Sequence, residues 1–243
     1  RNDKSSSHDI WKDWENGIIR KNYWGIKYGR ITGNFGQSQA TAAINAIVQD
    51  RQPETNEMFE WIYRYPSPNG TFEKGGGGVT NQPVDVVDRD GMGHEASTNY
   101  NRVQIEGLGK MADYLAEYKD AGKYDLYGSP IFREMFMAFT RPVTPSGHPN
   151  IADASTTLSR DYYSGDFEIW KNGFRNLRDT DIADELAQYI WMRNGRTTEG
   201  LHYDIFTENP ESFETDVTAL IDETGAMESD LMAGWGFAIL RDG

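Results

Sequence analysis

The chain contains no cysteine among its 243 residues. That absence excludes disulfide frameworks, thiolate zinc sites, iron–sulfur clusters and cysteine nucleophiles in one step, while leaving the redox compartment open. Histidine is scarce: His8, His94, His148 and His202 are scattered, and none pairs at the HExxH spacing of a zinc hydrolase. No apolar run is long enough for a membrane-spanning helix. The opening Arg1-Asn2-Asp3-Lys4-Ser5 lacks the apolar core of a secretory signal, so none is expected within these residues. Positive charge is in the minority, with 24 Lys+Arg against 38 Asp+Glu and a net charge of −14. A field of that sign repels phosphate backbones and argues against nucleic acid as a partner.

Aromatic residues, by contrast, are abundant: 7 Trp, 13 Tyr and 11 Phe. A chain of this length and composition can bury a sizeable core without external staples. The patterning is mostly helical. Residues 9–23 carry Ile10, Trp11, Trp14, Ile18 and Ile19 at helical spacing, and residues 37–50 place Ala40, Ala43, Ile44, Ile47 and Val48 on one face. After Pro53, Met58, Trp61, Ile62 and Tyr65 repeat the pattern behind an acidic first turn. The longest periodic segment, 96–121, contains Tyr100, Val103, Leu108, Met111, Leu115 and Tyr118, with Gly122 placed to end it. Further helices are predicted at 129–140, 163–174 and 179–193. Residues 66–93 form a long glycine-marked break, and Gly234–Gly243 changes to the alternation of a strand just beginning.

Several local patterns have an obvious chemistry and a plainer alternative. Asp88-Arg89-Asp90-Gly91 resembles part of a calcium loop, but Val86 and Ser97 stand where the EF-hand pattern needs an oxygen ligand and a glutamate. The run Gly75–Gly78 is not followed by Lys-Ser/Thr, so it is no phosphate loop. Neither a metal nor another cofactor is expected. Asn34 stands between Gly33 and Phe35-Gly36, where close backbone would serve a ligand; equally, Asn34 or Thr32 caps the helix that follows. His94 is flanked by Glu95, Asn99, Tyr100, Asn101 and Arg102, polar company for a helix start. A phenol such as Tyr100 works as a base or acid when nearby cations or hydrogen bonds lower its pKa, and Arg102 is the candidate for that help or else a salt-bridge residue.

Four segments then carry a resemblance in order: GNFGQSQATAAINAI, DGMGHEASTNYNRVQIEGLGKMADYL, PSGHPNIADAS and GWGFAILRDG, spread from Gly33 to Gly243. Together they resemble the heparinase II/III-like polysaccharide lyases. The resemblance implies a mainly α fold, an incomplete (α/α) toroid of antiparallel helical hairpins over residues 1–230. A β-sandwich would begin at 231–243, with its remainder, including the family's sandwich histidine, as a further partner domain. It implies a secreted or periplasmic enzyme that cleaves an anionic, uronate-containing polysaccharide by β-elimination without a cofactor. Tyr100 would remove or donate the proton, Asn34 would neutralise the substrate carboxylate, and His94 would tune Tyr100. Gln37, Asn99, Arg102, Arg64 and Arg30 would bind substrate, with Arg160 adding to a locally basic cleft. Two other readings stay open: a glycoside hydrolase using two of Glu95, Asp90 and Asp153, and a non-catalytic glycan-binding domain using Trp24, Tyr65 and Tyr163.

Overall fold

The computed structural model describes residues 7–64, 78–80, 87–94, 97–118, 123–144, 147–149, 151, 167–203, 208–222 and 228–241. They form a mainly helical structure with one small two-stranded sheet. The chain divides into two compact units, the first made of Arg1–Asp85 and Lys110–Leu126 and the second of Val86–Gly109 and Tyr127–Gly243.

In the first unit, α1 (Ser7–Trp14) and α2 (Arg20–Lys27) run through a wide π turn at Glu15–Ile19, so helix persists beyond the predicted 9–23. The stripe Ile10, Trp11, Trp14 and Ile18 is exposed, whereas Ile19, Tyr23 and Ile26 are buried. Helix α3 (Gln37–Gln49) ends where Asp50 adopts a left-handed conformation at φ 37°, and α4 (Glu54–Arg64) follows. The inward face of α3 keeps Ala40 and Ala43 of the predicted one but is turned toward Ala42 and Ala46. Ala42, Ala43 and Ala46 are fully enclosed, while Val48 lies outside. Small side chains let α3 approach α4 closely, and that contact outweighs the burial of larger aliphatic groups further round the helix. Carboxylates at Glu54 and Glu57 and a guanidinium at Arg64 complement the dipole of α4.

The 20-residue helix α5 (Thr98–Glu117) begins in the second unit and finishes among residues of the first. Its inward stripe is polar at the start (Ser97, Thr98, Asn101, Gln104) and apolar beyond (Ile105, Leu108, Met111, Leu115). The second unit also holds α6 (Pro130–Thr140), α7 (Phe167–Leu177), α8 (Ala183–Arg193) and the short α9 (Ser212–Thr218). Its core is aromatic. Trp170 stacks on Phe139 at 5.0 Å and meets Phe136 and Tyr189 edge-on at 5.1 and 5.2 Å. Such offset and T-shaped pairs favour one packing over sliding alternatives. Near the C-terminus, β1 (Asp230–Met232) and β2 (Phe237–Ile239) form an antiparallel hairpin in register Asp230↔Ile239. The expected strand is therefore one arm of a hairpin whose first arm, and the helix at 212–218, were not anticipated. Both are too short to show a clear period. Gly122 and most of the 66–93 break lie outside the described residues.

Candidate functional site

The segment leading to Tyr100 is built from its backbone outward. Asp88 Oδ1 accepts hydrogen bonds from the amides of Asp90 (2.8 Å) and Met92 (3.1 Å), closing a turn that Gly91 completes at φ 82°. Burial pushes the Asp88 carboxyl above its ordinary pKa despite those two amides. Gly91 lies against the backbone carbonyl of Glu134 on α6, where a Cβ has no room. Val87 pairs with Gly93 in an antiparallel bridge, and the Gly93 amide donates to Asn101 Oδ1 at 3.1 Å. A Cβ at Gly93 would strike the Gln104 amide. The chain is thus clamped to both α5 and α6 immediately before His94, which is exposed.

Helix α5 starts at once. The Ser97 carbonyl accepts the first intrahelical bond, from the Asn101 amide at 2.9 Å. Thr98 is fully buried and its hydroxyl donates to the Pro149 carbonyl at 3.3 Å. Tyr100 sits half-buried in this first turn, whereas Thr98 and Asn101 are enclosed. Arg102 is engaged by Glu106 at 3.3 Å, one turn further along. Asn99 lies in the same turn. Ser97 Oγ, Asn101 Nδ2 and Gln104 Oε1 are buried with no hydrogen-bond partner among the described residues. The sequence pattern names Asn101 only as polar company for His94 and does not single out Gln104. The available signal was polar side chains continuing the helical stripe of Leu108 and Met111.

Three of the four segments that carry the resemblance are bonded to one another in this unit. Thr98 joins DGMGHEASTNY to the Pro149 turn. Asp90 Oδ2 accepts the amides of Gly234 and Trp235, the latter at 3.2 Å, joining the same segment to the C-terminal hairpin. Arg241 donates to the carbonyls of Arg141 and Val143, tying that hairpin to the end of α6. Asp88 and Asp90 are therefore structural acceptors, and no group of three His, Asp or Glu among the described residues is placed to hold a metal ion.

The other predicted residues belong to the first unit. Asn34 is exposed, and the position ahead of α3 is taken by Gly36 (φ 91°), whose amide donates to Gln39 Oε1 at 2.8 Å. The N-cap residue is Gly36, which has no side chain to contribute, and the capping side chain is that of Gln39, so the capping role considered for Asn34 and Thr32 is not the one the structure uses. Gln37 opens α3 and is exposed, as is Arg30, whose amide donates to the Gly25 carbonyl at 2.7 Å. Arg64 pairs with Glu60 at 3.2 Å. A hydrogen bond from Lys123 holds Glu60 below the usual carboxylate range. The structure thus brings His94, Tyr100 and Arg102 into one unit and Arg30, Asn34, Gln37 and Arg64 into the other. Glu95, Asp153, Arg160, Tyr65 and Tyr163 lie outside the described residues.

A pocket of about 670 Å³ in the second unit contains none of these residues. Asp184, Glu185, Asp222, Glu228 and Asp230 give it an acidic wall against Arg141 and Arg241. Compared with known proteins, the chain matches no family model, no curated sequence and no solved structure.

Proposed function

We propose that the chain is part of a polysaccharide lyase that cleaves an anionic, uronate-containing glycan by β-elimination, on a toroid of helical hairpins. The observation that carries this reading is the bonding among three of the four resembling segments. Thr98–Pro149, Asp90–Gly234 and Asp90–Trp235 hold them together within one unit, with Tyr100 accessible where they meet the head of α5.

The chemistry suits the residue types. Abstraction of the weakly acidic C5 proton leaves an enolate-like intermediate, and a donor aimed at the adjacent carboxylate stabilises it by about 3–4 kcal/mol. Asn34, exposed and not engaged in capping α3, is that donor in this reading, with Gln37 beside it. Tyr100 transfers the proton and His94 sets its protonation; Asn99, Arg30, Arg64 and Arg102 bind substrate. The two arginines on α4 and α5 would have to exchange Glu60 and Glu106 for the substrate carboxylate. A hydrolase using Asp90 is less favoured, because a carboxylate accepting two backbone amides is poorly placed to protonate a leaving group.

The deciding experiment incubates the protein with a panel of uronate polysaccharides. A lyase yields a growing ultraviolet absorbance from the unsaturated uronate at the new non-reducing end. New reducing ends without that absorbance would replace this reading with hydrolysis, and no new ends would remove catalysis on these polymers.

A further inference from the structure

A second concavity lies wholly within the first unit. It measures about 230 Å³ and is bordered by Tyr23, Trp24, Lys27, Glu54 and Glu57. Its floor is rigid, since Tyr23 is 3% and Met58 1% exposed. Trp24 remains 43% exposed and is held upright by Tyr28, stacked on it at 5.3 Å with 9° between planes. Glu54 is anchored by Arg20 at 2.8 Å, and Glu57 is exposed at the rim.

The wall chemistry narrows the occupant by elimination. Aromatic faces beside carboxylates usually suit a cation, but the Lys27 ammonium already fills that seat. It lies 5.4, 5.3 and 6.0 Å from the Tyr23, Trp24 and Trp61 rings. An anion would meet the Glu57 carboxylate at the rim, with Arg20 already engaged by Glu54 and Lys27 turned onto the rings. A purely apolar ligand would desolvate both carboxylates without replacing their hydrogen bonds. What remains is an uncharged molecule with an apolar face and hydroxyl hydrogens around its edge, of a size matching one sugar ring.

We infer that this pocket binds one uncharged pyranose unit of a glycan, with Trp24 taking its C–H face and Glu57 accepting its hydroxyl hydrogens. Hydroxyl-to-carboxylate bonds are charge-assisted and directional, and a pre-oriented indole loses little freedom on binding. The site contains none of the residues assigned to proton transfer and does not depend on that assignment.

The test uses the full chain, saturation-transfer NMR and calorimetry with cellotetraose, xylotetraose and mannotetraose, and trigalacturonate as the anionic counterpart. At least one uncharged oligosaccharide should bind, with Kd on the order of millimolar. Trp24→Ala should weaken it about fivefold or more, as loss of an aromatic contact does. Glu57→Gln should weaken it about threefold. Trp11→Ala, at a more exposed indole outside the pocket, should leave it unchanged. Absence of binding by all three sugars, tighter binding of trigalacturonate, or unchanged affinity in Trp24→Ala would each overturn the proposal. If Trp24→Ala does not fold, Glu57→Gln at its exposed rim position carries the test alone, and unchanged affinity there overturns it.

Discussion

Asp90 links residues 144 and 145 positions away by accepting the amides of Gly234 and Trp235 on one carboxylate oxygen. Asp90→Ala leaves both donors without that acceptor and should cost about 1–3 kcal/mol. The loss should show as faster hydrogen exchange at Gly234 and Trp235, and unaltered protection there would contradict the assigned role. Tyr100 presents the opposite case, a half-buried side chain whose hydroxyl is proposed to act rather than support. Tyr100→Phe should retain the melting temperature while turnover on a cleaved uronate polymer falls by about 10²–10⁴. A lower melting temperature with wild-type rate per folded molecule would make Tyr100 a packing residue. At this scale the sequence exposes residue type but not partner. Arg64 and Arg102 looked available for substrate, yet each has a glutamate four positions away on its own helix. That arrangement was visible in the spacing. The donors to Asp90 were not, because no local pattern encodes a bond across 144 residues.

Among the elements, helices with strong periodicity were legible to within a few residues: α4, α5, α6 and α8 lie where their apolar spacing places them. What the period could not reveal was the inward face of α3, decided by how closely its alanines let α4 approach. The short α9 and β1 escaped for a different reason, since seven and three residues carry too little repeat. The head of α5 was legible as a polar cluster, but its inward direction was not. Helix α5 also offers a test in which propensity and packing disagree. Gly109 sits mid-helix, where alanine would add about 1 kcal/mol of helix propensity. A Cβ there would come within 2.8 Å of Ile169 Cγ2 and 3.9 Å of Phe136. Overpacking of that kind costs about 1–3 kcal/mol, so Gly109→Ala should lower the urea midpoint. A raised midpoint would show that Ile169 yields easily.

For the whole molecule, pH is the most direct probe of stability. His148 is 2% exposed, lies 4.0 Å from the Phe139 ring, and bonds through Nε2 to the Phe139 carbonyl at 3.0 Å. Burial, aided by the Arg193 charge, pulls its pKa from 6.5 down to about 3. The unfolded chain therefore takes up a proton that the folded one refuses. This contribution is fully present above pH 6.5 and is lost progressively as pH falls from there toward about 3. The slope approaches about 1.4 kcal/mol per pH unit for one proton. His148→Gln, which preserves an N–H donor, should flatten the urea midpoint's dependence on pH between 6 and 4.5 (about one proton's worth of slope). An unchanged dependence would assign the acid sensitivity elsewhere. The bond from Asp90 has a further consequence in time. Ribosomes add roughly 5–20 residues per second, so the 144 residues separating Asp90 from Gly234 take about 7–30 s to make. Through most of that interval Met92, joined by Ala138 once that residue is made, awaits Met232, Trp235 and Phe237, which cover them in the finished fold. Each nascent chain thus carries an apolar surface open to holding chaperones, and translation speed sets how long that window lasts.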